Sequence, residues 1–273
     1  MVRAHQKKYP FINIAIKHTV SPAITIITIT FNDLLGFTRT ANSILPQLSC
    51  DVEWIIKDGG SDQAIMPSLL KLLDGIDCKF FSYPDSGVYE AMNRAINLAT
   101  GEWLIFMNGG DEFASSNVVE KFLYAVRHGG LDSSCKQILV GGTFLISEQG
   151  SRTYKGSRTL VECMGINSYR MAAFHQSQFF SKAIYAHQAF RENLQVSADH
   201  AFFWDALSNG ASLGNLDFPV SCFYFGGISS KKRFQSCMDV SFSIFRIQRM
   251  VNFIGLLAVI KRFVVSYVPR LWR

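Results

Sequence analysis

Apolar residues fall in short blocks divided by polar, glycine-bearing joints, and the period of the blocks alternates between strand-like and helix-like. Residues 24–30 are β-branched throughout and apolar at most positions, the pattern of a strand in a sheet covered on both faces. Helical spacing follows over about residues 34–48, then a strand over 52–57, a helix over about 64–73, a strand over 79–82, a helix over 88–99 and a strand over 102–107. This alternation predicts right-handed crossovers and an α/β fold with a mostly parallel central sheet flanked by helices. The second half leaves the pattern, with a further helix expected from about residue 199 to 209.

Ligands of such sheets bind beyond the carboxyl ends of the strands. All four such joints carry an acid: Asp33, Asp58, Asp85 and Asp111. For Asp33 and Asp62 the ordinary turn or helix-cap role is preferred. The recurrence at one edge, beside glycines such as Gly59, Gly87 and Gly110 that let backbone approach a ligand, points instead to a nucleotide-diphosphate site. Neither a Gly-x-Gly-x-x-Gly fingerprint nor a P-loop is present. An acidic edge repels a diphosphate unless a divalent cation stands between them, so Asp111, a hard oxygen ligand, implies Mg2+ or Mn2+.

With 273 residues and 48% hydrophobic content the chain can bury a core, which excludes overall disorder. Its six scattered cysteines suit neither a zinc site nor a disulfide framework and read as reduced thiols in the cytoplasm. The net charge of +6 is concentrated at one end: residues 231–273 hold nine Lys and Arg against Asp239, a local +8 that leaves residues 1–230 at −2. Three segments are therefore expected: an extension over 1–21, an α/β domain over 22–230 and a basic amphipathic helical tail over 231–273. Residues 242–273 interleave bulky apolar side chains with Arg246, Arg249, Lys261, Arg262, Arg270 and Arg273, as in a helix lying on an anionic membrane surface; a core-packed helix with a solvated basic face is the alternative. No apolar run reaches the ~20 residues of a membrane span. No aromatic RNA-binding motif accompanies the charge, so nucleic acid is not an expected partner.

The loop Asp58-Gly59-Gly60-Ser61-Asp62, the block Pro84-Asp85-Ser86-Gly87-Val88-Tyr89-Glu90-Ala91-Met92-Asn93 and the loop Asn108-Gly109-Gly110-Asp111 resemble those of family 2 glycosyltransferases of the GT-A fold, with bacterial exopolysaccharide enzymes of the colanic-acid type as the nearest subgroup. The resemblance runs from about residue 24 to 229. It implies a donor pocket formed by Thr30, Asn32, Asp58, Gly59, Asp85, Gly87, Asn93, Asn108 and Gly110, with Asp111 as the metal-binding end of an Asp-x-Asp signature whose first acid is here Asn108. It further implies an acceptor side with His175 and Gln176, and Asp199 as the general base. Outside the resemblance, Asp199 reads as a helix N-cap and His175 as a hydrogen-bonded histidine on an apolar strand. Asp205 is not expected to inherit a catalytic role.

The reaction so implied is a single, inverting displacement at the anomeric carbon. Only Gln188-Ala189-Phe190-Arg191 remains of the Gln-x-x-Arg-Trp motif of processive synthases, so one sugar per encounter is expected, passed to a saccharide or lipid-linked saccharide acceptor at the inner face of the cytoplasmic membrane. Residues 224–229 resemble the end of the family's catalytic domain, where a loop closes over the diphosphate. The rival readings are a sugar nucleotidyltransferase, whose Arg- and Lys-bearing phosphate loop is missing after the first strand, and a catalytically silent nucleotide-sugar-binding scaffold, favoured by Asn108.

Overall fold

The computed structural model describes residues 21–147, 149–164, 169–224 and 239–240. The first half follows the predicted alternation: β1 (Ile24–Thr30), α1 (Leu34–Ile44), β2 (Val52–Asp58), α2 (Met66–Leu72), β3 (Lys79–Ser82), α3 (Val88–Ile96) and β4 (Trp103–Phe106). Then come β5 (Glu112–Phe113), α4 (Val118–His128), β6 (Gln137–Ile146), β7 (Arg152–Lys155), α5 (Leu160–Met164), β8 (Gln178–Ser181), α6 (Lys182–Tyr185), α7 (Ala198–Ser208) and β9 (Ser212–Tyr224). Helix α1 ends four residues early because Pro46, lacking an N–H, tightens the chain into a 3-10 turn over Leu45–Gln47.

The nine strands form one sheet ordered β3-β2-β1-β4-β8-β6-β9-β5, with β7 paired to β6. Strands β3, β2, β1 and β4 are parallel, as crossover helices require. The sheet as a whole is mixed rather than mostly parallel: β8 runs antiparallel to β4 and β6, and β5 antiparallel to β9. The antiparallel additions bring the turn before β8 beside the end of β4, and this is how the second half reaches the loop edge.

Two apolar layers cover the sheet. One packs α1, α2 and α4 through Phe37, Ile44, Leu69 and Phe122; the other packs α3 and α7 through Met92, Phe202 and Phe203. Helix α7 is apolar nearly all round and correspondingly buried. At the edge away from the loops, the fully enclosed β2 carries Glu53, whose carboxylate accepts from the Thr25 hydroxyl, the Lys79 ammonium and the Thr100 N–H and hydroxyl. Burial pushes that carboxyl up, but these donors together outweigh it and hold Glu53 below the usual carboxylate range.

The tail lies outside the described residues apart from Asp239 and Val240. Asp239 is buried, and its Oδ2 accepts from the N–H groups of Val196 (2.8 Å) and Ser197 (3.3 Å) at the start of α7. Among the described residues no helix is long and apolar enough to cross a membrane.

Candidate active site

Asp58 closes β2 and is fully buried. Its Oδ2 accepts from Gly60 N–H (3.0 Å), Ser61 N–H (2.8 Å) and the Ser82 hydroxyl (2.7 Å), and its Oδ1 from the Ser61 hydroxyl. The side chain expected to meet the nucleotide thus shapes the loop from beneath and has no surface of its own. Gly60 is fixed in the left-handed region (φ +85°) against Pro84. Asn32 (φ +50°) joins this loop to the end of β1, its amide oxygen accepting from Asp62 N–H at 2.8 Å. The ring of Phe31 lies over Gly59, close enough that a Cβ there would meet it at 3.0 Å, and is 60% exposed.

Lys57 is the charge at the centre of this region. Its buried Nζ donates to the carbonyls of Asp58 and Tyr83, both at 2.6 Å, and to Asp85 Oδ2 at 2.8 Å, lying 4.2 Å from the centre of the Tyr83 ring. Desolvation depresses the ammonium's pKa despite Asp85. Asp85 Oδ1 accepts from Gly87 N–H at 3.2 Å, so the carboxylate connects the buried lysine to the start of α3.

The second loop follows β4. Thr40 of α1 organises it: its hydroxyl approaches the carbonyls of Asn108 (3.0 Å) and Asp111 (2.7 Å) and accepts from Gly110 N–H (3.0 Å). Gly110 has φ +98°, a conformation a side chain would strain. Asp111 is pushed up to about 6 by burial, against the opposing charges of His175 and Arg39. Gln176 Nε2 donates to Asp111 Oδ1 at 3.2 Å. His175 lies in a 3-10 turn (His175–Ser177) rather than on a strand. Its Nε2 is 3.9 Å from Asp111 Oδ2 and 3.3 Å from Asn108 Nδ2; its Nδ1 is 3.8 Å from Asp199 Oδ2.

Asn108, Asp111, His175, Gln176 and Asp199 therefore form one group. The N-cap reading of Asp199 is corrected: Ser197 holds the cap position, and Asp199 stands in the first turn of α7 with Oδ1 accepting from His200 N–H at 2.9 Å. Asp239 meets the N–H groups just before the helix, which leaves Asp199 Oδ2 toward His175.

Other expected residues stand elsewhere. Asn93 braces α3 to the following half, exchanging hydrogen bonds with Phe190 N–H (2.7 Å) and carbonyl (2.9 Å). Asp33 is the cap of α1, accepting from Gly36 N–H at 2.8 Å, and Asp205 is held by Arg191. Tyr224 donates to Glu112 Oε2 at 2.9 Å beneath the Arg39 guanidinium; residues 225–229 lie outside the described residues.

Three buried polar atoms near this edge have no hydrogen-bond partner: Thr30 Oγ1, Asn108 Oδ1 and Gln176 Oε1. Two are amide oxygens on the side chains flanking Asp111, hard donors that suit a divalent cation sharing diphosphate oxygens. Among the described residues no group of three or more His, Cys, Asp or Glu is placed to hold a metal ion by itself. Sequence reading passed over Lys57, Thr40 and Phe31. Lys57 had left a trace, being a charge inside a strand that is otherwise fully enclosed; Thr40 and Phe31 act through loop geometry that no local pattern encodes.

The family model for glycosyl transferase family 2 matches residues 25–190, more than half of the chain. An uncharacterized glycosyltransferase of Mycobacterium tuberculosis is 36% identical over 113 residues, 41% of this chain and 43% of the relative, so the match spans less than half of that protein. A PGL/p-HBAD biosynthesis glycosyltransferase of Mycobacterium bovis is 25% identical over 216 residues, covering 77% of this chain and 80% of the relative. Among solved structures, S. aureus TarS 1-349 in complex with UDP-GlcNAc superposes with TM-score 0.63 at 15% identity, over 82% of this chain and 65% of that one. The Pyrobaculum calidifontis mannosyltransferase with GDP-Man and Mn2+ gives TM-score 0.61 at 12% identity, over 96% and 79%. These two share the fold, the GT-A architecture expected from the sequence, and the extent of the family match settles membership: the chain belongs to glycosyl transferase family 2.

Proposed function

We propose that this protein is an inverting, non-processive glycosyltransferase that moves a sugar from a nucleoside diphosphate to a saccharide hydroxyl. The observation that carries the reading is the position of His175, 3.9 Å from Asp111 and 3.8 Å from Asp199, which joins the donor loop to the proposed base across a single imidazole. Asp199 Oδ2 takes the proton from the acceptor hydroxyl as its oxygen attacks the anomeric carbon; the nucleoside diphosphate leaves from the opposite face, and the configuration inverts. The exposed Phe31 ring offers a face for the base, and the Lys57–Asp85 pair holds the neighbouring loop in place. Asp111, with the orphaned Asn108 Oδ1, would hold a Mg2+ or Mn2+ whose charge offsets that developing on the departing diphosphate.

The acceptor is a lipid-linked saccharide in bacterial surface polysaccharide synthesis, reached by a protein held peripherally at the inner membrane face through residues 231–273. The mycobacterial relative named for PGL/p-HBAD biosynthesis supports a biosynthetic transferase; the colanic-acid subgroup finds no counterpart in the relatives named above. Asn108 favours a second reading, a nucleotide-sugar-binding scaffold without turnover, because an amide stands where a signature acid is expected.

The test is nucleotide release by purified protein from a panel of UDP-, GDP- and dTDP-sugars with membrane extract as acceptor. Acceptor-dependent release that falls at least about 100-fold in Asp199→Ala, with donor binding retained, is the expected outcome for a general base. Donor binding without release under all these conditions replaces the transferase with the scaffold.

A further inference from the structure

The segment between β7 and the His175 turn has a composition that the transfer reaction does not use. Lys155 ends β7 three positions before Arg158, and backbone hydrogen bonds fold the segment that carries Arg158 and Arg170 back on itself: Arg158 N–H donates to the Ala172 carbonyl (2.7 Å) and Arg170 N–H to the Cys163 carbonyl (3.1 Å). The Arg158 guanidinium donates to the Met171 carbonyl at 3.1 Å, one residue from Arg170. The crowding is felt electrostatically: the Lys155 ammonium is depressed by burial first and then by Arg158 and Arg170. Between residues 152 and 172 the only acid is Glu162, whose carboxylate accepts from the N–H (2.7 Å) and hydroxyl (2.9 Å) of Thr159.

The same segment contains α5, which turns Cys163 inward and leaves Leu160 40%, Val161 80% and Met164 55% exposed. Three apolar side chains facing water on a five-residue helix, bordered by three cations, do not make a solvated surface. The segment also flanks the proposed base: the Tyr169 carbonyl is 2.6 Å from His200 Nε2, the residue after Asp199, and Ala172 stands three positions before His175.

We propose that this face, with Leu160, Val161 and Met164 inserted among the lipids and Lys155, Arg158 and Arg170 over their phosphates, docks on an anionic phospholipid bilayer and presents the Asp199 side of the site to it. Charge complementarity selects the anionic surface, and the exposed apolar side chains select a bilayer over a dissolved phosphate. The inference is independent of the transfer reaction and of residues 231–273, which remain unchanged in the test.

Full-length protein is sedimented with phosphatidylcholine vesicles, with and without phosphatidylglycerol. Wild type is expected to bind the anionic vesicles selectively. Lys155→Glu/Arg170→Glu should weaken that binding at least about tenfold, since each juxtamembrane cation contributes on the order of 1 kcal/mol. Val161→Asp should weaken it as well, with the melting temperature unchanged because the side chain packs against little. Arg158 is left in place because it holds the Met171 carbonyl. Wild-type binding by both variants would overturn the proposal, as would absence of selectivity for anionic vesicles. Inorganic phosphate at constant ionic strength should not displace the protein; full displacement would replace the bilayer with a discrete anion site.

Discussion

At the scale of single residues, the site depends on which polar atoms are satisfied. Lys57 Nζ meets three oxygens in a buried setting, so removing it strands the Asp85 carboxylate and two carbonyls together. Lys57→Met should cost about 3 kcal/mol in urea unfolding with an unchanged slope, and adding Asp85→Asn should recover part of the loss; a single-variant cost below about 1 kcal/mol would remove the lysine from this role. Asn108 presents the opposite case, a buried amide oxygen without a partner beside a half-buried acid. Asn108→Asp puts a second carboxylate beside Asp111, which destabilises the metal-free protein by mutual repulsion and should tighten Mn2+ binding at least about tenfold by calorimetry in the presence of nucleotide. Unchanged Mn2+ affinity would dissociate position 108 from the metal.

At the scale of elements, the enclosed strand β2 carries charges near both ends, and the one at the end away from the loops makes stability depend on pH. Glu53 ties β1, β3 and the turn before β4 through Thr25, Lys79 and Thr100. Its folded-state pKa lies below the ordinary 4.5, so its contribution is complete above that value and is lost as pH falls through the folded value. Glu53→Gln should therefore lower the unfolding free energy at pH 7 by about 1–2 kcal/mol in urea titrations, and flatten the further loss expected of wild type as the pH falls below 4.5. Equal acid sensitivity in both proteins would assign the loss to other carboxylates. These elements also mark how far sequence reading went. The strands and helices up to residue 107 follow from periodicity because each buries a regular apolar face locally. The antiparallel half depends on pairings between distant segments, such as β8 between β4 and β6, which no local period encodes. The same limit applies to the site: Asp111, His175 and Asp199 could be singled out as residues, whereas their meeting depends on that non-local pairing.

At the scale of the whole molecule, the parallel half builds the proposed donor edge and the antiparallel half delivers the proposed acceptor-side residues to it, with both apolar layers spanning the junction. A ligand seated at this edge would touch the loops after β1, β2, β3 and β4 and the turn before β8, so its binding should stabilise the described fold as a unit. Any ligand bound only by the folded state adds RT ln(1 + [L]/Kd), which is about 2.7 kcal/mol at a hundred times Kd. For a chain of this size each kcal/mol moves the midpoint by about 2–4 °C, so a saturating nucleoside diphosphate should raise Tm by about 5–10 °C. UDP, GDP and dTDP, each with and without Mn2+, form the panel, and the base that fits over Phe31 should single out one of them. A shift seen only with Mn2+ present would link metal and nucleotide through Asp111; an equal shift without it would place the binding energy in the Phe31 and Asp85 loops. If none of the three moves Tm by more than about 1 °C at millimolar concentration, the edge is not a nucleotide site and the donor half of the proposed function fails with it.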